Sequence, residues 1–267
     1  MNITRTTIAS LALLTGAAQA DLISIQVENT LGGDNFFFTP VWVAAHNGGF
    51  DAFNNGQAAS GSTGITQLAE NGNTGPISKA FANSGAGGVD ATLASVVGDG
   101  DAPVYSPGES NTFMLDIGDG SVNRYFSYAS MVVPSNDLFF GNDSPNAVEL
   151  FDAMGNFNGP TVIEIFGRDI YDNGSEVNSA TNDAAFSTND GQSLAEFNTI
   201  RSLFSDAGDS DYLASFLGST TANGATIGST FGADDLVARI TINQVPAPAS
   251  VLAFAGAGLM VSRRRRA

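Results

Sequence analysis

The sequence contains no cysteine and only one histidine, His46. It therefore cannot form a disulfide bond, use a cysteine nucleophile or build a histidine-rich zinc site. A Ser-His-Asp triad would have to use His46, but this residue directly follows the apolar run VWVAA, and we interpret it as a strand-end residue bonded to nearby backbone. The sequence also lacks a Gly-x-Ser-x-Gly elbow, a P-loop and a dinucleotide-binding motif. We predict that the protein is not an enzyme. The alternative is a hydrolase of extracellular polymer, because paired carboxylates, for example around Glu149 and Asp152, are the catalytic groups of glycosidases.

Positive charge is scarce in the body of the chain. All 27 Asp and Glu residues fall between Asp21 and Gln244, whereas only five of the ten Lys and Arg residues do, so this part carries a net charge of −22. Such a surface repels nucleic acid and anionic lipid and attracts divalent cations. We therefore expect no nucleic-acid partner. A purely structural surface protein whose acidic coat binds ions loosely has the same composition and stays open as a further alternative.

The first 20 residues are typical of a secretory signal. They contain one charge, an apolar run from Ile8 to Leu14 and the small-residue ending Ala18-Gln19-Ala20. This pattern predicts cleavage before Asp21 and export of the mature chain.

Residues 245–267 have the features of a sorting tail. A VPAP motif opens an uncharged run of 17 residues from Val245 to Val261, which reaches the lower limit for a transmembrane helix, and the cluster Arg263–Arg266 would stay on the cytoplasmic side. This arrangement resembles the PEP-CTERM signal of Gram-negative bacteria, with Ala247 where that signal usually has Glu. The resemblance implies processing by an exosortase-type protease, transient anchoring in the inner membrane by the tail alone, and delivery to the cell envelope or an exopolysaccharide matrix.

The remaining residues, 21–244, are expected to form one antiparallel β-sandwich with a few short helices. Glycine is abundant and often adjoins Asn, Asp or Ser, as in turns between short strands. Trp42 lies between Val41 and Val43, which favours a core position at least as well as a sugar-stacking one. Alternating or β-branched runs predict strands at Leu22–Val27, Phe36–Ala45, Thr112–Ile117, Tyr125–Val133, Leu138–Phe140, Thr161–Ile170 and Leu236–Ile242. Apolar residues at helical spacing predict short helices at Ile65–Ala69, Ile77–Phe81 and Ser193–Phe204.

Two segments place acids at the ends of apolar runs. MVVPSNDLFFGND, from Met131, interrupts a strand with Asp137, and IYDNGSEVN, from Ile170, leaves a strand with Asp172 and Glu176. Calcium prefers six to eight oxygen ligands, and these three carboxylates would supply part of such a set at one edge of a sandwich. The alternative is that both segments are ordinary Asx turns with Glu176 solvated. Asp143, Asp152 and Asp169 are nearby competitors.

The body of the chain also resembles the spondin N-terminal domain family, which includes a domain of the matrix protein F-spondin. The resemblance covers roughly residues 22–243, and its most specific parts are Pro134–Gly141 and Asp172–Glu176. It implies a C2-like β-sandwich that binds one Ca²⁺ through Asp137, Asp172 and Glu176, with Glu176 standing where members usually have Asp. It further implies an exported calcium-binding adhesion or matrix module that works by surface contact with exopolysaccharide or an extracellular protein.

Overall fold

The alternating runs of the sequence form two facing antiparallel sheets. The computed structural model describes residues 21–59, 61–97, 102–189 and 191–246. The predicted signal peptide, and the predicted sorting tail beyond Pro246, lie outside these ranges. Within them, no helix has the length and apolar character needed to cross a bilayer. The predicted all-β sandwich is confirmed.

The described residues form eleven strands. They are β1 (Leu22–Asn29), β2 (Phe37–Phe38), β3 (Val41–His46), β4 (Val89–Leu93), β5 (Ser110–Asp116), β6 (Tyr125–Val133), β7 (Leu138–Gly141), β8 (Thr161–Phe166), β9 (Ile170–Asp172), β10 (Arg201–Ser202) and β11 (Leu236–Val245). One sheet has the order β5-β1-β11-β8, and the other has the order β10-β9-β7-β6-β3-β4, with β2 also paired to β6.

The first sheet is buried on one face only. In β1, Ile23, Ile25 and Val27 are buried, whereas Ser24 and Gln26 point away from the core. Because successive side chains of a strand point to opposite faces, this alternation is what a half-solvated sheet requires. The apolar residues of β1 contribute to the core between the two sheets.

The second sheet is buried on both faces, so its strands β3 and β7 show no alternation between buried and exposed residues. All six residues of β3 are buried. Val41 and Val43 belong to the core between the sheets, whereas Trp42 and Ala44 belong to a second core on the opposite face. Two helices cover that second face, α1 (Ile65–Asn71) and α2 (Gly75–Asn83), as the sequence predicts. Short 3-10 helices occupy Gly167–Asp169 and Ser210–Phe216.

Three predicted elements differ from the structure. The predicted strand Phe36–Ala45 is divided at Thr39-Pro40, where proline cannot donate to a ladder, and Thr161–Ile170 is divided by a 3-10 helix. The predicted helix Ser193–Phe204 is wrong. This segment is extended, and its backbone bonds to distant chain, for example from Ile200 N–H to the Gln57 carbonyl at 2.8 Å. These non-local hydrogen bonds outweigh the local helical periodicity.

Candidate metal centre

Asp137 lies in the connection between β6 and β7, immediately before β7 begins. The Val133–Pro134 peptide bond in this connection is cis. The antiparallel pairing of β7 with β9 sets Leu138 opposite Asp172, so the start of one strand meets the end of the other. A backbone hydrogen bond of 3.2 Å from Asn173 N–H to the Asp137 carbonyl extends the ladder by one step. The topology thus brings two acids that are far apart in sequence to the same edge, and both are fully buried.

One carboxylate oxygen of Asp137 is held by the turn that follows β9. Its Oδ2 accepts hydrogen bonds from the Ser175 N–H at 3.0 Å, the Ser175 hydroxyl at 3.2 Å and the Glu176 N–H at 3.1 Å. Three donors on one oxygen favour its ionised form. Asp137 therefore orders a loop that lies nearly forty residues downstream of it.

Asp172 shapes the same turn from its other side. Its Oδ1 accepts from the Gly174 N–H at 2.7 Å, and its Oδ2 accepts from the Asn178 amide at 3.0 Å and the Arg201 guanidinium at 2.8 Å. Gly174 has a φ of 69°, and a Cβ there would lie 2.9 Å from the Thr199 carbonyl oxygen, so the turn requires glycine. Arg201 arrives at Asp172 because β10 pairs with β9 in that register.

Glu176 contributes to the centre through its backbone. Its N–H contacts Asp137, but its carboxylate accepts a hydrogen bond from the Ser193 hydroxyl. Burial is the main cause that raises the pKa of Glu176. The structure therefore places all three predicted residues in one cluster, with the Glu176 carboxylate facing different partners from those of Asp137.

The cluster holds more negative than positive charge in a buried place. Burial, and secondly the charge of Asp172, raise the pKa of Asp137 to about 7, against the opposing effect of its three hydrogen bonds. Arg201 pairs with Asp172 and not with Asp137. The Arg201 guanidinium also lies 4.0 Å from the Glu196 carboxylate, so an ionised Asp137 has no counter-ion of its own among the described residues.

Three buried oxygens in this cluster have no hydrogen-bond partner among the described residues: Oδ1 of Asp137, Asn173 and Asn178. The amide orientations follow from their partners. Asn178 faces a carboxylate oxygen, which only accepts, so the amide nitrogen must be the contacting atom. The Ser175 hydroxyl donates its proton to Asp137, so towards Asn173 it can only accept. The Asn173 amide nitrogen must therefore face the Ser175 hydroxyl, and the amide oxygen points away from it.

These unpaired oxygens fit a hard cation. Buried acceptors without partners are costly, and carboxylate and amide oxygens are the ligands that Ca²⁺ takes in proteins. Among the described residues, no group of three or more His, Cys, Asp or Glu side chains is arranged to hold a metal ion. The residues that would hold a calcium ion here are thus Asp137 and Asp172 with amide oxygens of the turn, since the described residues offer no all-acidic set.

The competing acids occupy ordinary turns. Asp169 accepts from the Phe166 N–H at 2.9 Å at the start of a 3-10 helix, and Asp143 is exposed. Asp152 accepts from the Asn156 amide, which is the main cause that lowers its pKa. The general acid of a glycosidase needs a raised pKa, and the pKa of Asp152 is shifted in the opposite direction. The Glu149 carboxylate is held in an ion pair with Arg124.

His46 is held as a neutral structural residue. It is fully buried, and burial lowers its pKa to about 4. Its Nδ1 accepts from the Gly48 N–H at 2.9 Å, so in the neutral ring Nε2 carries the proton and donates to the Ser127 hydroxyl at 2.9 Å. An imidazole that donates a hydrogen bond to the Ser127 hydroxyl cannot also remove the proton of that hydroxyl.

Trp42 is also buried, and its indole N–H donates to the Asp90 carboxylate at 2.9 Å. This places Trp42 in the core.

Arg201, Asn173 and Asn178 are the members of the cluster that sequence reasoning did not single out. The two asparagines lie inside the quoted segment IYDNGSEVN, so their amide oxygens were available as a signal. Arg201 has no local signal, because only the pairing of β10 with β9 brings it to Asp172.

Comparison with known proteins found no family model that matches the chain and no curated protein that matches it. The resemblance to the spondin N-terminal domain, and that of the tail to PEP-CTERM signals, therefore remain proposals.

Proposed function

We propose that this chain is an exported calcium-binding adhesion or matrix module of the spondin-domain type. Its calcium would be held at the edge where β7 and β9 meet, by Asp137 and Asp172, with Glu176 closing the turn. The sorting signals proposed for the two ends would direct it to the cell envelope or exopolysaccharide after processing by an exosortase-type protease. Surface contact with polymer or protein would be its activity.

The observation that carries this proposal is the carboxylate of Asp137. It is fully buried, one of its oxygens has no partner, and two unpaired amide oxygens belong to the same hydrogen-bonded turn. A cation bound at Oδ1 of Asp137 would give that atom a partner and supply the missing positive charge, and amide oxygens of the turn are ligands of the kind that calcium takes. It would also join the start of β7 to the loop after β9, so calcium would stabilise the fold.

The proposal is tested by titrating chelator-treated protein with calcium chloride in a calorimeter, where a saturable stoichiometry near one is expected. Extracellular calcium modules have Kd values of about 10⁻⁴ to 10⁻³ M, so 10 mM calcium should add roughly 1.4 to 2.7 kcal/mol to the free energy of unfolding. The Asp137→Ala variant should lose this gain.

Asp143→Ala is the matched control, since it removes the same charge from an exposed position six residues away. It should keep the calcium-dependent gain in melting temperature. Equal gains in the wild type and in Asp137→Ala would remove the basis for the proposed site.

A further inference from the structure

Phe197 is 96 % exposed, although it is a large apolar side chain. Leu194 and Val177 are also exposed, at 54 % and 42 %, and they lie on paired backbone, since the Val177 N–H bonds to the Leu194 carbonyl at 2.8 Å. Folding gives no reason to present a phenyl ring almost wholly to water. A binding role gives one.

The backbone that carries Phe197 is firmly placed. On one side, the Glu196 N–H bonds to the Ser175 carbonyl at 2.7 Å, and on the other the Asn198 N–H bonds to the Gly174 carbonyl at 2.9 Å. Both neighbours of Phe197 are thus fixed to the turn that surrounds Asp137. The ring is presented from an ordered ladder, which lowers the entropy cost of binding.

Phe197 is among the residues that line a cavity of about 350 Å³. Its volume is at the lower end of the roughly 300 to 1,000 Å³ found for small-molecule sites. Its lining includes the small side chains of Ala58 and Ala195 and three polar ones, Thr66, Glu196 and Asn198, which carry a hydroxyl, a carboxylate and an amide. The site therefore combines one aromatic face with several hydrogen-bonding groups.

We infer that Phe197 and this cavity bind a pyranose ring of a polysaccharide that carries no acid groups. One face of a pyranose carries C–H bonds, whose partly positive hydrogens are attracted to the negative face of a phenyl ring. Its hydroxyls can hydrogen-bond to carboxylate and amide groups. The Asn198 amide donates to the Glu196 carboxylate, and this pair, together with the Thr66 hydroxyl, can exchange further hydrogen bonds with sugar hydroxyls. The net charge of −22 on the body repels acidic polymers.

The sugar site shares a wall with the candidate metal centre. Ser175 lines the cavity, donates its N–H to Asp137 and accepts the Glu196 N–H at its carbonyl. Calcium at Asp137 would therefore hold the wall in place and strengthen sugar binding. This calcium dependence rests on the proposed function, whereas the stacking on Phe197 does not.

Affinity electrophoresis in native gels tests the inference, because a strongly acidic protein migrates readily and is slowed by a polymer that it binds. The gels contain hydroxyethyl cellulose as a neutral polymer, glycol chitosan as an amino polymer or alginate as an acidic one, with calcium or with chelator. The wild type should be slowed by the neutral or the amino polymer, and these two gels identify which sugar type is bound. Phe197→Ala should weaken that binding about tenfold or more.

Met154→Ala is the control, since Met154 is 81 % exposed and does not line the cavity. It should behave as the wild type. Equal slowing of Phe197→Ala and the wild type would overturn the inference, as would slowing by alginate alone or by no polymer.

Calorimetric calcium titration of the same proteins separates this inference from the proposed function. Calcium binding without polymer binding would refute the sugar site and leave the metal site intact. Polymer binding that depends on Phe197 in a protein that takes up no calcium would support the sugar site and refute the metal site.

Discussion

Replacing Asp137 by asparagine should make the calcium-free protein more stable at pH 8 than the wild type. Burial and the neighbouring Asp172 raise the pKa of Asp137 to about 7, whereas in the unfolded chain it titrates near 3.8. Between these values the folded protein binds the proton and the unfolded chain does not. Folding is therefore favoured at low pH, and this contribution is lost as the pH rises from about 4 through 7.

The expected magnitude follows from that pKa difference. Each pKa unit corresponds to about 1.4 kcal/mol, so the two units between pH 5 and pH 7 account for roughly 3 kcal/mol of lost stability. This is a large part of the 5 to 15 kcal/mol that typically stabilises a domain. In the asparagine variant, the amide oxygen can accept the donors of Ser175 and Glu176, while its NH₂ stands where the unpaired Oδ1 was. The variant should therefore lack this pH-dependent loss.

Urea unfolding followed by circular dichroism, at pH 5 and pH 8 with chelator present, measures the effect. Between these two pH values, the free energy of unfolding of the wild type should fall by roughly 3 kcal/mol more than that of Asp137→Asn. Comparing the two proteins removes the contribution of the acids that do not interact with Asp137, so the difference reports on the Asp137–Asp172 pair. Calcium should restore the wild type at pH 8 and leave the variant unchanged. If the two proteins show the same pH dependence in chelator, the argument that Asp137 is a buried, poorly compensated carboxylate is refuted.

Three further predictions use single residues. Arg201→Met should lower the free energy of unfolding, measured in urea, by about 3 to 5 kcal/mol, because it leaves buried Asp172 without its ion pair. Arg168→Met, which breaks an exposed ion pair, should lower it by about 1 kcal/mol or less, and similar losses in the two variants would contradict the prediction. His46 should remain neutral in an NMR titration down to pH 5.5, since burial lowers its pKa to about 4, and stability should fall as the pH drops below about 6.5; a midpoint above 6 would disprove its burial. The sole tryptophan, Trp42, should emit at short wavelength and resist iodide quenching, and quenching like that of free tryptophan would exclude its core position.

Several strands could be predicted from the sequence because their residues report directly on burial. The strand β6 runs from Tyr125 to Val133 as predicted, and β1 begins at Leu22 with the predicted alternation. Residues 41–45 of β3 form a continuous apolar run, which fits the burial of this strand on both faces. What this run could not indicate is which side faces helices and which side faces the other sheet, because that depends on the position of α1 and α2.

The segment Ser193–Phe204 shows where local pattern fails. Its apolar residues fit helical spacing, yet Phe197 is exposed and Ile200 is buried. Backbone partners on residues 174–177 and 56–57 decide its extended form. Such partners lie far away in the chain, so no window of sequence contains the information.

By itself, the sequence determined the double-layered β architecture, the acidity of the body and the two turns that carry Asp137 and Asp172. These follow from side-chain periodicity, charge and turn chemistry, which are local properties. Only the tertiary structure decided that Arg201 pairs with Asp172, that three oxygens stay unpaired beside Asp137, and that Phe197 faces solvent. These three features depend on strand order and register. Strand order and register bring together residues that are far apart in the sequence, so no local sequence pattern indicates the contact.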